Sequence, residues 1–239
     1  MLTERVSELN IPLMATYWSR QFAQQNWMLS GGFGEPVFNY LYHDYITTIA
    51  AAMVQGQGIN HPGYMLRRAV IADSLCRGLI LGPFDSDISV HPPGQWQANI
   101  SSLFFNVSQA YVPYREYVSL GQLIRPPSCG NCSVVSTFMF LGSADSPTQI
   151  DINISSVRLG GFQAGGAIAV FAINILDQAT TVTLDLSLYQ QPRYLNGTLS
   201  ITLATLDGSV VGSIGQVTQV TVTLPAISGR VFLIDSVAG

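Results

Sequence analysis

The chain has 239 residues, enough for one large domain or two of ordinary size, and only 10% of them are charged, compared with roughly 25% in typical soluble domains. All of its basic residues are arginine and the formal net charge is −4, so a basic nucleic-acid-binding surface has no support. No apolar stretch reaches the length of about 18 residues that a membrane-spanning helix needs, which argues against a membrane span.

The N-terminal segment contains no visible targeting signal, because residues 1–10 lack a basic region followed by an apolar run. Between residues 18 and 27, aromatic side chains are interleaved with amides. Aromatic rings can stack on the C–H faces of sugars while amides bond hydroxyl groups, so Trp18 is a candidate sugar-binding residue. Alternatively, Trp18, Phe22 and Met28 pack one face of a helix.

A glycine-rich approach leads into an apolar run at residues 31–45, GGFGEPVFNYLYHDY. Residues 37–42 do not alternate with polar ones, which predicts a strand covered on both faces, as in a parallel sheet. Ligands bind beyond the carboxyl ends of such strands, so Tyr42, His43 and Asp44 are predicted to border a site. Alternatively, Tyr42 and His43 end a core strand and Asp44 caps the helix that follows.

The next segments predict consecutive βα units. Residues 45–54 and 64–79 have helical patterns, with Cys76 on an apolar helical face as a buried free thiol. Residues 78–82 form a short apolar strand that opens into Asp85 and Asp87. A strand, a helix and a strand with an acidic end are the elements of an α/β fold.

Near residue 121 the sequence changes from helical spacing of apolar residues to alternation of apolar and polar residues, which predicts a domain boundary. Residues 98–120 predict one long amphipathic helix, and the Pro-Pro pair in residues 124–128 forbids its continuation. The first domain then spans residues 1–121 and the second spans residues 122–239.

The second half predicts an antiparallel β-sandwich. Apolar and polar residues alternate over residues 149–154 and 181–188, so each strand has one wet face. The same alternation recurs near residues 199–203, 220–224 and 230–236, and turn sequences such as Asp207-Gly208 separate these strands. Short alternating strands with regular turns are typical of a sandwich.

Two cysteines, Cys129 and Cys132, lie in the loop sequence SCGNCS and predict a small disulfide. A zinc knuckle would need a second pair of ligands, whereas the histidines are scattered at positions 43, 61 and 91. We therefore expect neither a metal ion nor an organic cofactor.

Asn-x-Ser/Thr sequons are more frequent than the roughly one or two expected by chance from this composition. They begin at Asn99, Asn106, Asn131, Asn153 and Asn196. This excess favours a glycosylated protein of the secretory pathway, secreted or extracellular, and suggests that further sequence lies upstream of residue 1.

The order of these segments resembles the C-terminal part of a glycoside hydrolase with a (β/α)₈ barrel. The sequences PVFNYLYHDY, RRAVIADSLCRGLILGPF and YREYVSLGQLIRPP resemble the closing barrel segments of a largely uncharacterised family of glycoside-hydrolase-like proteins. The sequences FAINILDQATTVTLDLSLY and GRVFLIDSV are similar to the accessory sandwich that ends many such enzymes. The resemblance covers nearly the whole chain and implies a partial (β/α)₈ barrel followed by a C-terminal antiparallel β-sandwich.

The resemblance also implies a site at which carbohydrate is bound and cleaved. Glycoside hydrolysis usually uses two carboxyl groups about 5–10 Å apart. Asp44 is the first catalytic candidate and Glu35 the second, with His43 and Tyr42 contacting sugar or orienting Asp44. Asp85 and Asp87 are candidate substrate-binding residues, or else they cap the segment that follows.

A complete (β/α)₈ barrel needs roughly 250 residues, about twice the length that precedes the predicted sandwich. We therefore expect this chain to be inactive without a missing N-terminal barrel segment. The competing hypothesis is a non-catalytic carbohydrate-binding or cell-surface glycoprotein module, in which Trp18, Trp27 and Trp96 form the platform. A structural domain without a ligand is a third possibility.

Overall fold

The computed structural model describes residues 48–50, 64–81, 95–141, 148–195 and 197–237. Its helices are α1 (Tyr64–Cys76), α2 (Gln95–Gln109), α3 (Arg115–Val118) and a 3₁₀ helix (Ser187–Gln190). Its strands are β1 (Thr48–Ala50), β2 (Leu79–Leu81), β3 (Gln122–Ile124), β4 (Ser128–Cys129), β5 (Val134–Leu141), β6 (Thr148–Ser155), β7 (Val157–Ala164), β8 (Ala167–Asn174), β9 (Thr180–Asp185), β10 (Thr198–Ala204), β11 (Val210–Gly215), β12 (Gln219–Leu224) and β13 (Ser228–Val237). The described part is therefore mostly β-sheet with a few helices.

The first described elements form a βαβ unit. Strands β1 and β2 pair in parallel, with Ile49 opposite Ile80, and α1 connects them in the chain. The helix predicted over residues 45–54 is wrong at Thr48–Ala50, where the structure has a strand. The β-branched pair Thr48-Ile49 favours extended backbone, and pairing with β2 overrides the helical propensity of the alanines that follow.

The helix predicted over residues 98–120 is divided into two. Helix α2 ends at Gln109, residues 110–114 form turns, and α3 begins at Arg115. Pro113 explains the break, because proline lacks a backbone N–H and disfavours helical backbone at the residue before it. Ala110 and Tyr114 remain buried on either side of it, so the apolar stripe continues although the helix does not.

The described residues of the second half form three antiparallel sheets. The largest has six strands in the order β11-β10-β13-β8-β7-β3, the second has three in the order β12-β9-β4, and β5 pairs with β6. The strand predicted over residues 181–188 ends at Asp185, where the chain turns into the 3₁₀ helix. The predicted turn at Asp207-Gly208 is confirmed, since Gly208 N–H donates to the Thr205 carbonyl at 3.1 Å and Gly208 has φ of 91°.

Strand β8 is the centre of the structure because both of its faces are covered. Phe171 and Ile173 belong to a core shared with α1 and α2, whereas Val170 and Ala172 belong to a core shared with β9 and β12. This explains why the AIAVFAIN sequence is apolar up to its last residue, Asn174, although its sheet is antiparallel. The structure thus has three successive layers: the helices α1 and α2, the six-stranded sheet and the three-stranded sheet.

The helices α1 and α2 share their core with the sheets that follow residue 121. The division into domains at that residue stays a prediction. No helix in the described ranges is long and apolar enough to cross a membrane.

Candidate functional site

The residues predicted to carry catalysis and sugar binding lie outside the described part of the chain. They are Trp18, Glu35, Tyr42, His43, Asp44, Asp85 and Asp87. What the structure does describe is the βαβ unit, to which Asp44 and Asp85 are close in sequence. Strand β1 begins shortly after Asp44, and β2 ends at Leu81, shortly before Asp85.

A buried ion pair fastens α1 to the six-stranded sheet. Arg158 of β7 donates to Asp73 of α1 through Nε at 2.6 Å and through Nη2 at 2.8 Å, and both residues are less than a tenth exposed. Arg77 adds a longer contact to Asp73 at 3.6 Å. Burial lowers the pKa of Arg158, but the adjacent Asp73 carboxylate outweighs it and raises the pKa overall.

The C-terminal end of α1 lies directly against β7. Cys76 is a buried free cysteine, as predicted, and burial, followed by the charge of Asp73, raises the pKa of its thiol. A Cβ atom on Gly160 would come within 2.5 Å of the Cys76 Cα and carbonyl oxygen, so only glycine allows this approach. Such a thiol is unreactive and has a packing role.

A cleft of about 500 Å³ lies where three elements meet. Its lining comes from α1, β5 and the loop after β8, namely Met65, Val135, Ser136, Leu176, Asp177 and Gln178. Beneath it lies the fully buried Arg68, which forms an ion pair with Asp177 at 2.7 Å. The Arg68 guanidinium also donates to the Ile175 carbonyl at 2.9 Å and contacts the Met65 sulfur at 3.6 Å.

The loop that forms one wall of the cleft is held by the buried Asn174. Its side-chain amide donates to the carbonyls of Gln178 at 2.8 Å and Pro225 at 2.9 Å. Its side-chain oxygen accepts from Leu176 N–H at 3.0 Å, and Ile227 N–H donates to the Leu176 carbonyl at 2.9 Å. The wall is therefore fixed from below, while the side chains of Asp177 and Gln178 stay exposed.

The predicted pair Cys129 and Cys132 forms a disulfide in the structure. Asn131, inside this loop, accepts from Thr183 N–H at 2.7 Å and donates to the Thr181 carbonyl at 3.1 Å. Its side chain thus continues the edge of β9 in the way a paired strand would.

The sequons differ in their surroundings. Asn153 and Asn131 are exposed, whereas Asn106 is half-buried and donates to the Ile227 carbonyl at 2.8 Å. Asn99 lies in α2, and Asn196 lies outside the described residues. Glycosylation of these residues stays a prediction.

The sequence interpretation missed the buried charges that join α1 to the sheets. Arg68 and Asp73 lie on a helix that also contains Arg67 and Ser74, so nothing local marks them as buried. Arg158 lies in a largely apolar strand, which is a local signal that it is paired. Their partners lie far away along the chain, so no spacing rule identifies them. Across the described residues, no group of three or more His, Cys, Asp or Glu side chains could hold a metal ion.

Comparison with known proteins finds matches among solved structures alone. No protein-family model and no curated protein matches the chain. Several of the similar structures are glycoside hydrolases. A GH30 endoxylanase from Clostridium papyrosolvens C71 is 14% identical with a TM-score of 0.28, and the match covers 42% of this chain and 24% of that one.

Two α-galactosidases are also similar. The enzyme from Saccharomyces cerevisiae, solved with raffinose, is 7% identical with a TM-score of 0.39, and the match covers 79% of this chain and 47% of that one. Alpha-galactosidase I from Mortierella vinacea is 14% identical with a TM-score of 0.35, over 80% of this chain and 40% of that one. The chain spans less than half of each of these structures, and similarity this low assigns neither a fold nor an activity to it.

Proposed function

We propose that the chain is the C-terminal portion of a secreted glycoside hydrolase that acts on an oligo- or polysaccharide. In this proposal the βαβ unit is part of a (β/α)₈ barrel, and the six-stranded and three-stranded sheets form an accessory β-sandwich. The observation that carries it is the parallel β1-α1-β2 unit packed on antiparallel sheets, because the carboxyl ends of parallel strands are where barrel enzymes bind substrate.

The position of β1 changes the order of the catalytic candidates. Asp85 and Asp87 follow a described parallel strand at its carboxyl end, whereas Asp44 precedes the described strand β1. We therefore propose Asp85 and Asp87 ahead of Asp44 and Glu35 as the carboxyl groups of the site. Residues Tyr42, His43 and Trp18 remain proposed sugar contacts.

The proposed chemistry needs one carboxyl group in each protonation state. A carboxylic acid donates its proton to the glycosidic oxygen as the bond to the anomeric carbon breaks. A carboxylate either attacks the anomeric carbon or removes a proton from the water that does. No metal ion or redox cofactor enters this scheme.

Two structural features support a function outside the reducing cytosol. The Cys129–Cys132 disulfide lies in a surface loop, and Asn153 offers an exposed sequon on β6. We propose that β1 and β2 are two strands of the barrel and that sequence outside the described residues supplies the others.

The experiment is an activity screen of the full-length secreted protein against 4-nitrophenyl glycosides and neutral oligosaccharides. We expect hydrolysis with a bell-shaped pH dependence, since one acid and one base are required. Failure to cleave any substrate would overturn the proposal. Binding without cleavage would instead favour the non-catalytic carbohydrate-binding module.

A further inference from the structure

The cleft beside α1 lies on the same side of the βαβ unit as the carboxyl ends of its strands. Helix α1 ends at Cys76, next to the amino end of β2 at Leu79. Because the helix of a βαβ unit runs antiparallel to its strands, its first turn lies toward their carboxyl ends. Met65, in that first turn, lines the cleft, which thus opens on the side where barrel enzymes bind substrate.

The charges of the cleft select an uncharged ligand. Asp177 is the one ionisable residue among the described residues that line it, and the buried Arg68 guanidinium neutralises that carboxylate at 2.7 Å. The described lining of the cleft therefore carries no net charge. An anionic or cationic ligand would have to be desolvated here without a partner of opposite charge.

The surface of the cleft suits a polyol. The Ser136 hydroxyl, the Gln178 amide and the half-exposed Asp177 carboxylate provide donors and acceptors for hydroxyl groups. Met65 and Leu176 provide aliphatic surface for C–H groups. A volume of about 500 Å³ lies within the range of small-molecule sites, roughly 300–1,000 Å³.

The cleft is also formed in advance of any ligand. Arg68 contacts both Met65 on one wall and Asp177 on the other, and Asn174 fixes the backbone of the second wall. Residues held by buried partners lose little conformational freedom when a ligand binds, which favours affinity.

We propose that this cleft, lined by Met65, Val135, Ser136, Leu176, Asp177 and Gln178, binds a neutral saccharide unit as an accessory subsite beside the catalytic face. The proposal rests on the proposed glycoside hydrolase function. It adds a binding contribution from β5 and from the loop after β8, both of which belong to the antiparallel part of the chain.

The test measures binding of neutral di- to hexasaccharides to the full-length protein by isothermal titration calorimetry, with uronic-acid oligosaccharides for comparison. Gln178→Ala removes one exposed amide and should weaken binding about threefold to tenfold. Ser136→Trp fills the cleft and should abolish binding there. The matched controls are Gln190→Ala and Thr221→Trp, exposed positions away from the cleft, which should leave binding unchanged.

Two outcomes would overturn the subsite. One is that both cleft variants bind saccharide as tightly as the unsubstituted protein and have the same urea denaturation midpoint. The other is preferential binding of the anionic oligosaccharides. These outcomes are distinct from failure of the enzyme proposal: hydrolysis by a protein whose saccharide binding both cleft variants leave intact rejects the subsite alone, and saccharide binding that depends on Gln178 without any hydrolysis rejects the enzyme alone.

Discussion

Replacing Asp73 with asparagine tests whether the βαβ unit and the antiparallel sheets form one cooperative structure. The substitution keeps the side-chain volume but removes the charge that faces Arg158 across two hydrogen bonds of 2.6 and 2.8 Å. Arg158 is only 7% exposed, so its guanidinium would remain buried after losing the Asp73 charge. Breaking a buried pair in this way costs about 3–5 kcal/mol, a large part of a total stability of about 5–15 kcal/mol.

Urea denaturation followed by circular dichroism measures this loss. With a slope of about 1–3 kcal/mol per molar urea, the midpoint of the Asp73→Asn protein should fall by at least about 1 M. Asp235→Asn, at an exposed position, is the matched control and should change stability by no more than about 0.5 kcal/mol. The double variant Asp73→Leu with Arg158→Met should recover most of the loss, because apolar replacements often match a buried ion pair.

An unchanged midpoint for Asp73→Asn would refute the reasoning. It would mean that the ion pair contributes nothing to the joint between α1 and β7. A loss that the double variant fails to reduce would show that the cost comes from packing of the helix and not from an uncompensated charge.

Three further predictions follow from the same region. Gly160→Ala should destabilise the protein by about 1–3 kcal/mol because its Cβ would lie 2.5 Å from the Cys76 backbone, whereas Gly212→Ala, with open space around it, should be nearly neutral in the same denaturation assay. Cys76 should react with a thiol reagent only after unfolding, because burial raises its pKa; rapid labelling of the native protein would contradict this. Burial, followed by the charge of Asp207, raises the pKa of Tyr114 to about 12, above its unfolded value of about 10. The stability that Tyr114 contributes is therefore complete below about pH 10 and lost as the pH rises to about 12. In unfolding curves measured over this pH range, the free energy of unfolding of the Tyr114→Phe protein should fall less steeply than that of the unsubstituted protein.

Local sequence patterns predicted the secondary-structure elements whose formation depends mainly on residues near each other in the chain. The strand near residues 78–82 appears as Leu79–Leu81, and the turn at Asp207-Gly208 forms because glycine takes a positive φ there. The helix interpretation of residues 45–54 is wrong at Thr48–Ala50 because a row of alanines outweighed Thr48 and Ile49 in the pattern. The pairing with β2 that decides the matter is a contact between distant residues.

The joints between layers could not be predicted from the sequence. Arg68 with Asp177 and Asp73 with Arg158 join residues that are distant in the chain, so no periodicity relates them. The cleft depends on the pair of Arg68 and Asp177, and therefore no sequence motif predicts it. The catalytic candidates, in contrast, were chosen because carboxylates beside predicted strand ends have a recognisable chemistry.

Glycoside hydrolysis at the carboxyl end of β2 is tested by the turnover number of full-length protein that carries Asp85→Asn. On the best substrate of the screen, the account predicts a decrease of about 10²–10⁴-fold, as expected when an acid or base is lost. Asp235→Asn should retain full turnover. The account is contradicted if no glycoside is hydrolysed, or if none of the carboxamide replacements at Glu35, Asp44, Asp85 and Asp87 lowers the turnover number.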